Sequence, residues 1–252
     1  MDDAVLMSRM FASLRGTLRT QAQGGASGLE LDGVTAAVTA ATPGRSVMNA
    51  AVAASAGALE AGYDALAQAY ADAGVYAWTV WVDSADRATA DVLAARGHVL
   101  DAEPAGMAIE LADLGDGPPE PAWTGDWGAL ADALAVNDEA YGDTQGKAAR
   151  ALGALPEGAA HLYLAHHEGR PASFVIVRDH GEDLHFWVAA TIPVARGRGL
   201  LSGLLHRALR DARDRGLTTS TTQATRMGAP VYERLGYRTI RPVQMWERRG
   251  AG

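Results

Sequence analysis

Apolar residues recur at the three-to-four-residue spacing of helices in several stretches of the chain. The clearest stripe predicts a helix over residues 4–22 and consists of Leu6, Met10, Leu14 and Leu18. A second stripe predicts a helix over 58–73, which Gly74 ends. Further helices are predicted over 87–96, 127–141, 144–155 and 200–215.

Runs of β-branched and aromatic residues, bounded by turn residues, predict strands between these helices. The clearest run is 75–82, with the sequence VYAWTVWV. The other predicted strands cover 29–31, 34–39, 47–53, 107–111, 161–166, 172–178, 184–191, 217–223, 237–240 and 243–247. This pattern predicts an α/β (α+β) fold of twisted mixed sheets flanked by helices.

The order of turn and apolar residues occurs twice along the chain. In each half a glycine precedes a strand, a short helix, a second glycine and a methionine; the residues are Gly74, Gly97 and Met107, then Gly216, Gly236 and Met245. This repetition favours two copies of one α/β unit fused in tandem. The Gly- and Pro-rich stretch 115–121 is the best linker, so we predict domains over 1–115 and 116–252.

Composition and charge narrow the classes of function. The 22 basic and 30 acidic residues give a net charge of −8, which disfavours a nucleic-acid partner because phosphate-binding surfaces need clustered Lys and Arg. No apolar run reaches the roughly 18 residues of a membrane span, and the acidic start Met1-Asp2-Asp3 is unlike a signal peptide. We therefore expect a cytoplasmic protein without a membrane partner.

The residue types that bind metals are sparse. The chain has no cysteine, which excludes a thiolate nucleophile and thiolate metal ligands. His161, His166 and His167 lack carboxylates at ligand spacing, and adjacent strand residues point to opposite faces. No metal is expected.

A loop rich in glycine and arginine lies between a predicted strand and the amphipathic helix 200–215. It reads Arg196-Gly197-Arg198-Gly199-Leu200-Leu201. Backbone N–H groups at a helix N-terminus bind phosphate well, and glycine lets the chain approach the anion closely. A dinucleotide fingerprint is the nearest alternative, but it would need glycine at Ser202 and an acidic residue near Gln223.

This loop resembles the pyrophosphate loop of the GNAT superfamily of acyl-CoA-dependent transferases. That loop reads Arg/Gln-x-x-Gly-x-Gly/Ala and usually follows a proline by three residues. Pro193, Arg196 and Gly199 match it, whereas Leu201 replaces the final small residue. The resemblance implies coenzyme A as the ligand of the loop.

A second segment, 225–237, is similar to the family pattern Asn-x-x-Ala-x-x-Leu-Tyr-x-x-x-Gly-Phe. Its tyrosine and glycine are matched by Tyr232 and Gly236, while Thr225 and Gly228 stand for the usual Asn and Ala. The resemblance covers about residues 120–248. It implies a tandem pair of GNAT-like units with acetyl-CoA as co-substrate and no metal.

The resemblance also implies site residues. In the family, the strand before the loop diverges from its neighbour and pairs with the pantetheine arm. The implied cofactor-binding residues are Ala189, Ala190, Thr191, Arg196, Gly197, Arg198, Gly199, Leu200 and Leu201. Tyr232 matches the usual general acid, which protonates the departing thiolate; the alternative is a core tyrosine.

The general base and the acceptor site are open. His185 is a candidate base and by alternation shares a face with Trp187 and Ala189, but a structural histidine is an equal alternative. Candidate substrate contacts are Asp138, Glu139 and Tyr141, with Asn49 and Arg45 from the first half. A solvated helix end would explain the first three equally well.

The first half lacks the features of the second. Its equivalent run 49–57 has no arginine and one late glycine, and Leu93 stands where Tyr232 would be. We therefore predict a degenerate N-terminal unit, lacking the CoA loop, that shapes the substrate cleft.

The predicted function is transfer of an acetyl group from acetyl-CoA to a primary amine of a small molecule, by direct attack in a ternary complex, in a monomer or homodimer. One alternative is a non-catalytic acyl-CoA-binding or interaction protein of the same fold. Another is a transferase that uses a different acyl group or a hydroxyl acceptor.

Overall fold

The computed structural model describes residues 1–250. Its helices are α1 (Asp3–Gln21), α2 (Ala56–Asp72), α3 (Arg87–Ala95), α4 (Leu130–Ala140), α5 (Lys147–Leu152), α6 (Leu200–Asp214) and α7 (Ala229–Arg234). Its strands are β1 (Ser27–Leu31), β2 (Val34–Val38), β3 (Ala50–Ala53), β4 (Ala77–Asp83), β5 (Val99–Ala102), β6 (Ala105–Glu110), β7 (Trp123–Thr124), β8 (His161–His167), β9 (Arg170–His180), β10 (Asp183–Thr191), β11 (Thr219–Ala224) and β12 (Arg238–Arg249). The predicted α/β class, with mixed sheets flanked by helices, is confirmed.

The described chain divides into two compact units. The glycine-loop unit contains Met1–Ser13, Gly106–Ala149 and Pro156–Ile240. The companion unit contains Leu14–Ala105, Arg150–Leu155 and the described residues that follow Ile240. These units interleave along the sequence, whereas the predicted domains 1–115 and 116–252 are contiguous.

In the companion unit the strand order is β1-β2-β3-β4-β12, and β5 also pairs with β12. β3 and β4 are parallel, while the pairs β1–β2, β2–β3, β4–β12 and β5–β12 are antiparallel. The predicted apolar stripe of α2 is buried, namely Leu59, Tyr63, Leu66 and Tyr70. Trp78 of β4 stacks on Tyr70 with ring centroids 4.7 Å apart.

In the glycine-loop unit the order is β6-β11-β10-β9-β8-β7. β10 and β11 are parallel, and β7, β8, β9 and β10 pair antiparallel in succession. Helix α6 buries the face formed by Leu204, Leu205, Ala208 and Leu209. Each leucine buried in this way contributes about 2 kcal/mol, so the predicted apolar stripe is what fixes the helix on the sheet.

The two units share one order of elements. Three antiparallel strands lead into a helix, a strand parallel to the third, a short helix and a returning strand. Along the chain the elements are β1, β2, β3, α2, β4, α3 and β5 in one case, and β8, β9, β10, α6, β11, α7 and β12 in the other, although most of β12 belongs to the companion unit. This shared order is what a duplication would produce, and the duplication stays a prediction.

Some element boundaries differ from the predicted ones. β5 was not predicted, because its residues Val99–Ala102 are mostly exposed and lack an apolar alternation. The two predicted closing strands form one strand, β12, which continues through Pro242. Pairing with β4 begins at Val243, so the missing N–H of the proline breaks no bond of that ladder. No helix within residues 1–250 has the length and apolar character that crossing a membrane requires.

Candidate functional site

Strands β10 and β11 separate after a short stretch of pairing. Their parallel register runs from Asp183 opposite Thr219 to His185 opposite Thr221, which is three of the nine residues of β10. On its other side β10 remains paired with β9 as far as Thr191. The backbone of β10 beyond His185 therefore has an edge that is not paired with β11, and such an edge can pair with an extended ligand.

A β-bulge lies in β10 at the point of separation. The register with β9 shifts between Phe186 and Val188, so Trp187 is the extra residue. Phe186 lies opposite Val177 and Ala189 opposite Val175, which places Phe186 and Ala189 on one face. The predicted shared face of His185, Trp187 and Ala189 is therefore wrong, because strict alternation takes no account of an inserted residue.

The unpaired part of β10 leads into the glycine loop. A 3₁₀ turn, Pro193–Ala195, precedes four exposed residues, 196–199. Gly197 and Gly199 have φ of 75° and 76°, and no heavy atom lies within 4 Å of the position of a Cβ at either residue. The conformation and the open space both favour glycine.

The first turn of α6 has no side-chain cap. Its N-cap is Gly199, which carries no acceptor, and the helix begins with the partly exposed Leu200 and Leu201. The first N–H groups of a helix have no carbonyl partner within the helix, and the helix dipole adds positive potential there. An oxyanion at this position would complete the helix end.

The two arginines of the loop differ in their contacts. Arg196 donates from Nε to the carbonyl of Thr191 at 3.2 Å and from Nη2 to the carbonyl of Ala140 at 2.9 Å. Arg198 is exposed and forms no ion pair or side-chain hydrogen bond with the described part of the chain. The charge of Arg198 is thus available to an anionic ligand, while Arg196 is engaged with the backbone.

Tyr232 lies in an aromatic cluster on one face of the sheet. Its ring centroid is 5.8 Å from that of Phe186 and 5.3 Å from that of Tyr237. Burial raises the pKa of Tyr232 to about 12; the Thr222 hydroxyl opposes this shift, and the phenol of Tyr141 adds to it. The phenol is therefore protonated at neutral pH, and Tyr141 lies near it.

His185 is placed differently from what its candidate role as a base would require. Its side chain is buried, and Nδ1 has no hydrogen-bond partner among the described residues. Burial, followed by the charge of Arg178, lowers the pKa of His185 to about 4. As neighbours in a strand before the bulge, His185 and Phe186 point to opposite faces, so the imidazole is directed away from Tyr232.

A buried carboxyl that was not singled out from the sequence lies on the His185 face. Asp183 accepts hydrogen bonds from the hydroxyls of Ser13 at 2.7 Å, Thr219 at 2.9 Å and Thr221 at 2.6 Å. Burial raises the pKa of Asp183 to about 6, although these hydroxyls stabilise its charged form. The sequence feature that indicates this site is the hydroxyl-rich run 218–222, in which the alternate residues Thr219 and Thr221 donate to Asp183.

Two of the three candidate substrate contacts at the end of α4 are used within the fold. Asp138 is buried and accepts a hydrogen bond from the backbone N–H of Ala148 at 3.0 Å. Glu139 forms an ion pair with Arg170. Tyr141, the C-cap of α4, has a side chain that remains 65 % exposed. Asp138 is therefore buried within the fold rather than at a solvated helix end, Glu139 is engaged in an ion pair, and Tyr141 keeps an exposed side chain.

One of the two candidate substrate contacts in the companion unit, Asn49, is closed off. Asn49 is fully buried and accepts a hydrogen bond from the N–H of Thr39 at 2.6 Å. Its amide donates to the carbonyls of Thr42 at 2.9 Å and Arg45 at 3.2 Å. These bonds use the amide to hold the segment before β3, so Asn49 has no group left for a substrate.

The connection from β3 to α2 is the counterpart of the glycine loop in the companion unit. It consists of Ala54 and Ser55, and the Ser55 hydroxyl accepts a hydrogen bond from the N–H of Ala58 at 3.2 Å. Leu93 of α3 is fully buried. This helix end is satisfied by its own side chain.

Residues 1–250 contain no group of three or more His, Cys, Asp or Glu side chains that could hold a metal ion. His161 lies 3.3 Å from Asp179, and His167 lies 3.7 Å from Glu168. Each histidine has one carboxylate neighbour, and Asp179 also forms an ion pair with Arg215.

Part of the chain is similar to a known family. Residues 132–221 match the family model described as the acetyltransferase (GNAT) domain. The matched segment runs from α4 to β11 and includes the glycine loop, whereas Tyr232 lies beyond it. This segment of the chain is thus similar to the GNAT acetyltransferase domain. No curated protein matches the chain in sequence.

Solved structures of GNAT proteins resemble most of the chain. A GCN5-related N-acetyltransferase from Kribbella flavida superimposes with a TM-score of 0.70 at 19% identity, over 96% of this chain and 95% of that one. A putative GNAT-family acetyltransferase from Novosphingobium aromaticivorans gives 0.58 at 17% identity, over 95% and 99%. A tandem GNAT protein from the clavulanic acid biosynthesis pathway gives 0.57 at 15% identity, over 87% and 79%. These similarities show that the fold is that of GNAT proteins.

Proposed function

We propose that this protein is an N-acetyltransferase that moves an acetyl group from acetyl-CoA to a primary amine of a small molecule. The observation that carries the proposal is the combination of an unpaired strand edge and an uncapped helix N-terminus, joined by an exposed glycine loop. An extended chain that ends in a pyrophosphate is complementary to this arrangement.

The ligand contacts follow from the geometry. The pyrophosphate would lie against the backbone of Gly197 to Leu201, with Arg198 supplying the positive charge. The amide groups of the pantetheine arm would pair with the backbone of β10 at Ala189, Ala190 and Thr191, where the side chains are small. Coenzyme A would thus find an exposed glycine loop and an unpaired backbone edge of β10.

The reaction joins the acceptor nitrogen to the acyl carbon and breaks the bond from that carbon to sulfur. The neutral amine attacks directly, because the chain contains no cysteine to form a thioester with the protein. The nitrogen loses one proton and the departing thiolate gains one. Acetyl-CoA supplies the activated acyl group, and the protein supplies orientation and hydrogen bonds.

Tyr232 is the proposed donor to the departing thiolate. With a pKa of about 12 the phenol is fully protonated at neutral pH. A free thiol has a pKa of about 8.5, so the phenol acts first as a hydrogen-bond donor to the developing sulfur anion and delivers its proton as that charge grows. The proton released by the amine leaves through water, and no role is assigned to His185.

The companion unit is proposed to be a degenerate copy without a CoA loop. Its equivalent helix end is capped by Ser55, and a buried leucine, Leu93, stands where the other unit has Tyr232. Its function would be to support the active unit.

A thiol-release assay with acetyl-CoA and a panel of amines tests the proposed function. We expect release that depends on one class of amine, and a loss of about 100-fold in kcat for Tyr232→Phe with unchanged binding of acetyl-CoA. Tyr237→Phe is the matched control, since its phenol donates to Ser220 inside the same cluster. Binding of acetyl-CoA without turnover on any amine would instead favour a non-catalytic acyl-CoA-binding protein.

A further inference from the structure

We infer that Arg196 is a positioning residue that holds the C-terminal end of α4, and Tyr141 with it, against the glycine loop. The inference rests on the proposed function and changes the predicted role of one residue. Arg196 was predicted to bind the cofactor, as the first residue of the loop motif. Its guanidinium instead lies between two carbonyl groups of the protein.

These two carbonyls belong to different elements. Thr191 is the last residue of β10, and Ala140 is the last residue of α4. The carbonyl of Ala140 is one of the groups at a helix C-terminus that have no partner within the helix. An arginine satisfies such a carbonyl and also interacts favourably with the negative end of the helix dipole.

Side-chain contacts hold the end of α4, and one of them comes from the glycine loop. Asp138 holds the N–H of Ala148, and Glu139 pairs with Arg170 of β9. Neither contact would respond to a ligand on the loop. The bond from Arg196 to Ala140 does connect the loop to the residue that precedes Tyr141. The position of Tyr141 therefore depends on the conformation of the loop.

Tyr141 is the exposed side chain of this helix end, and it lies close enough to Tyr232 to raise the pKa of that phenol. We place the acceptor amine beside it, so a shift of the α4 end would change acceptor binding. Binding of acetyl-CoA to the loop would hold Arg196 in place and would thereby favour the acceptor. Such a coupling is reciprocal, and the acceptor would favour acetyl-CoA to the same extent.

Arg198 provides the matched comparison. It lies two residues further along the same loop, is exposed, and forms no ion pair or side-chain hydrogen bond with the described part of the chain. Loss of Arg198 should weaken acetyl-CoA binding through the lost charge alone. Loss of Arg196 should disturb the acceptor side.

The experiment compares Arg196→Gln, Arg196→Lys and Arg198→Gln by calorimetry with coenzyme A and by steady-state kinetics. For Arg196→Gln we expect an acceptor KM about 10-fold higher and a Kd for coenzyme A within about 3-fold of wild type. For Arg198→Gln we expect a Kd about 10-fold higher and an unchanged acceptor KM. For Arg196→Lys we expect an acceptor KM between those of wild type and Arg196→Gln, since an ammonium group can reach one of the two carbonyls.

Hydrogen exchange gives a readout that does not require turnover. The N–H groups of Tyr141, Gly142 and Asp143 donate to carbonyls of the last turn of α4. Their exchange should be faster in Arg196→Gln and unchanged in Arg198→Gln, even if no amine is ever acetylated. If Arg196→Gln weakens coenzyme A binding as Arg198→Gln does, with normal exchange and acceptor KM, Arg196 is a phosphate ligand and the inference is wrong.

Discussion

The two strand-to-helix connections of this protein occupy the same place in two similar orders of elements and have opposite properties. In the companion unit β3 pairs with β4 over three of its four residues and reaches α2 through Ala54 and Ser55. In the glycine-loop unit β10 pairs with β11 over three of its nine residues and reaches α6 through residues 192–199. One connection is short and closed, and the other is long and open.

The difference lies in whether the chain itself completes the first turn of the helix. A serine N-cap contributes about 1 kcal/mol because it satisfies an N–H group of the first turn. The glycine-loop unit forgoes this contribution: Gly199 has no side chain, and its φ of 76° turns the chain before the helix. The N–H groups in the first turn of α6, which correspond to the one that Ser55 satisfies in α2, therefore remain available to a ligand.

The largest effect that tests this comparison is expected for Gly199→Asp. A side chain at φ 76° costs about 1–2 kcal/mol, and a carboxylate at the helix N-terminus repels a pyrophosphate. We expect a loss of at least about 100-fold in acetyl-CoA affinity by calorimetry, which corresponds to about 2.7 kcal/mol. Retention of wild-type affinity would show that the loop does not bind the cofactor.

The control for backbone strain is Gly216→Asp. Gly216 follows α6 at its other end, has a φ of 91° and has open space around the position of a Cβ. Its substitution should reduce stability to a similar extent in thermal unfolding and leave acetyl-CoA affinity intact.

A smaller effect is expected for Ser55→Ala in the companion unit. Removal of the cap should lower the free energy of unfolding by about 1 kcal/mol in denaturant titrations. It should create no second binding site, because β3 offers no unpaired edge comparable with that of β10. Calorimetry should still give one coenzyme A per chain. A stoichiometry of two would show that the Ser55 cap alone prevents the companion unit from binding coenzyme A.

The smallest effect on activity is expected for His185→Gln. Because the imidazole faces away from Tyr232, kcat should stay within about 3-fold of wild type, whereas loss of a general base typically costs at least about 100-fold. Between pH 5 and 9, kcat/KM should depend on pH in the same way in His185→Gln and in wild type. A loss of two orders of magnitude would restore His185 as the base.

The same variant carries a signature in stability. The pKa of His185 is lowered from 6.5 to about 4 in the folded protein. The contribution of His185 to the free energy of unfolding is therefore fully present above pH 6.5, and it is lost as the pH falls toward 4. Stability measured at pH 7.5 and pH 5 should differ less in His185→Gln than in wild type.

The sequence was most informative where the governing physics is local. The apolar stripes of α2 and α6 predicted both helices and their buried faces, because helical periodicity depends on the chain alone. The glycine loop was found for a similar reason, since its chemistry depends on adjacent residues. Both features require no knowledge of the neighbouring elements.

Predictions that depended on packing were less successful. The bulge at Trp187 has no local signature in the sequence. It places Ala189 on the face of the sheet opposite to the one that strict alternation predicts. Asp138 and Asn49 are candidate substrate contacts by sequence, and hydrogen bonds use both side chains within the fold. The contact from Arg196 to Ala140 joins residues 56 positions apart, beyond the reach of any motif.

The pairing of β4 with β12 has a consequence for synthesis on the ribosome. Residues 77–83, with the sequence AWTVWVD, pair with 243–249, and about 160 residues separate the two strands. At roughly 5–20 residues per second, the apolar edge of β4 waits about 8–30 s for its partner. An unpaired edge of this kind invites association between nascent chains. Chaperone protection during this interval would therefore influence the yield of folded protein.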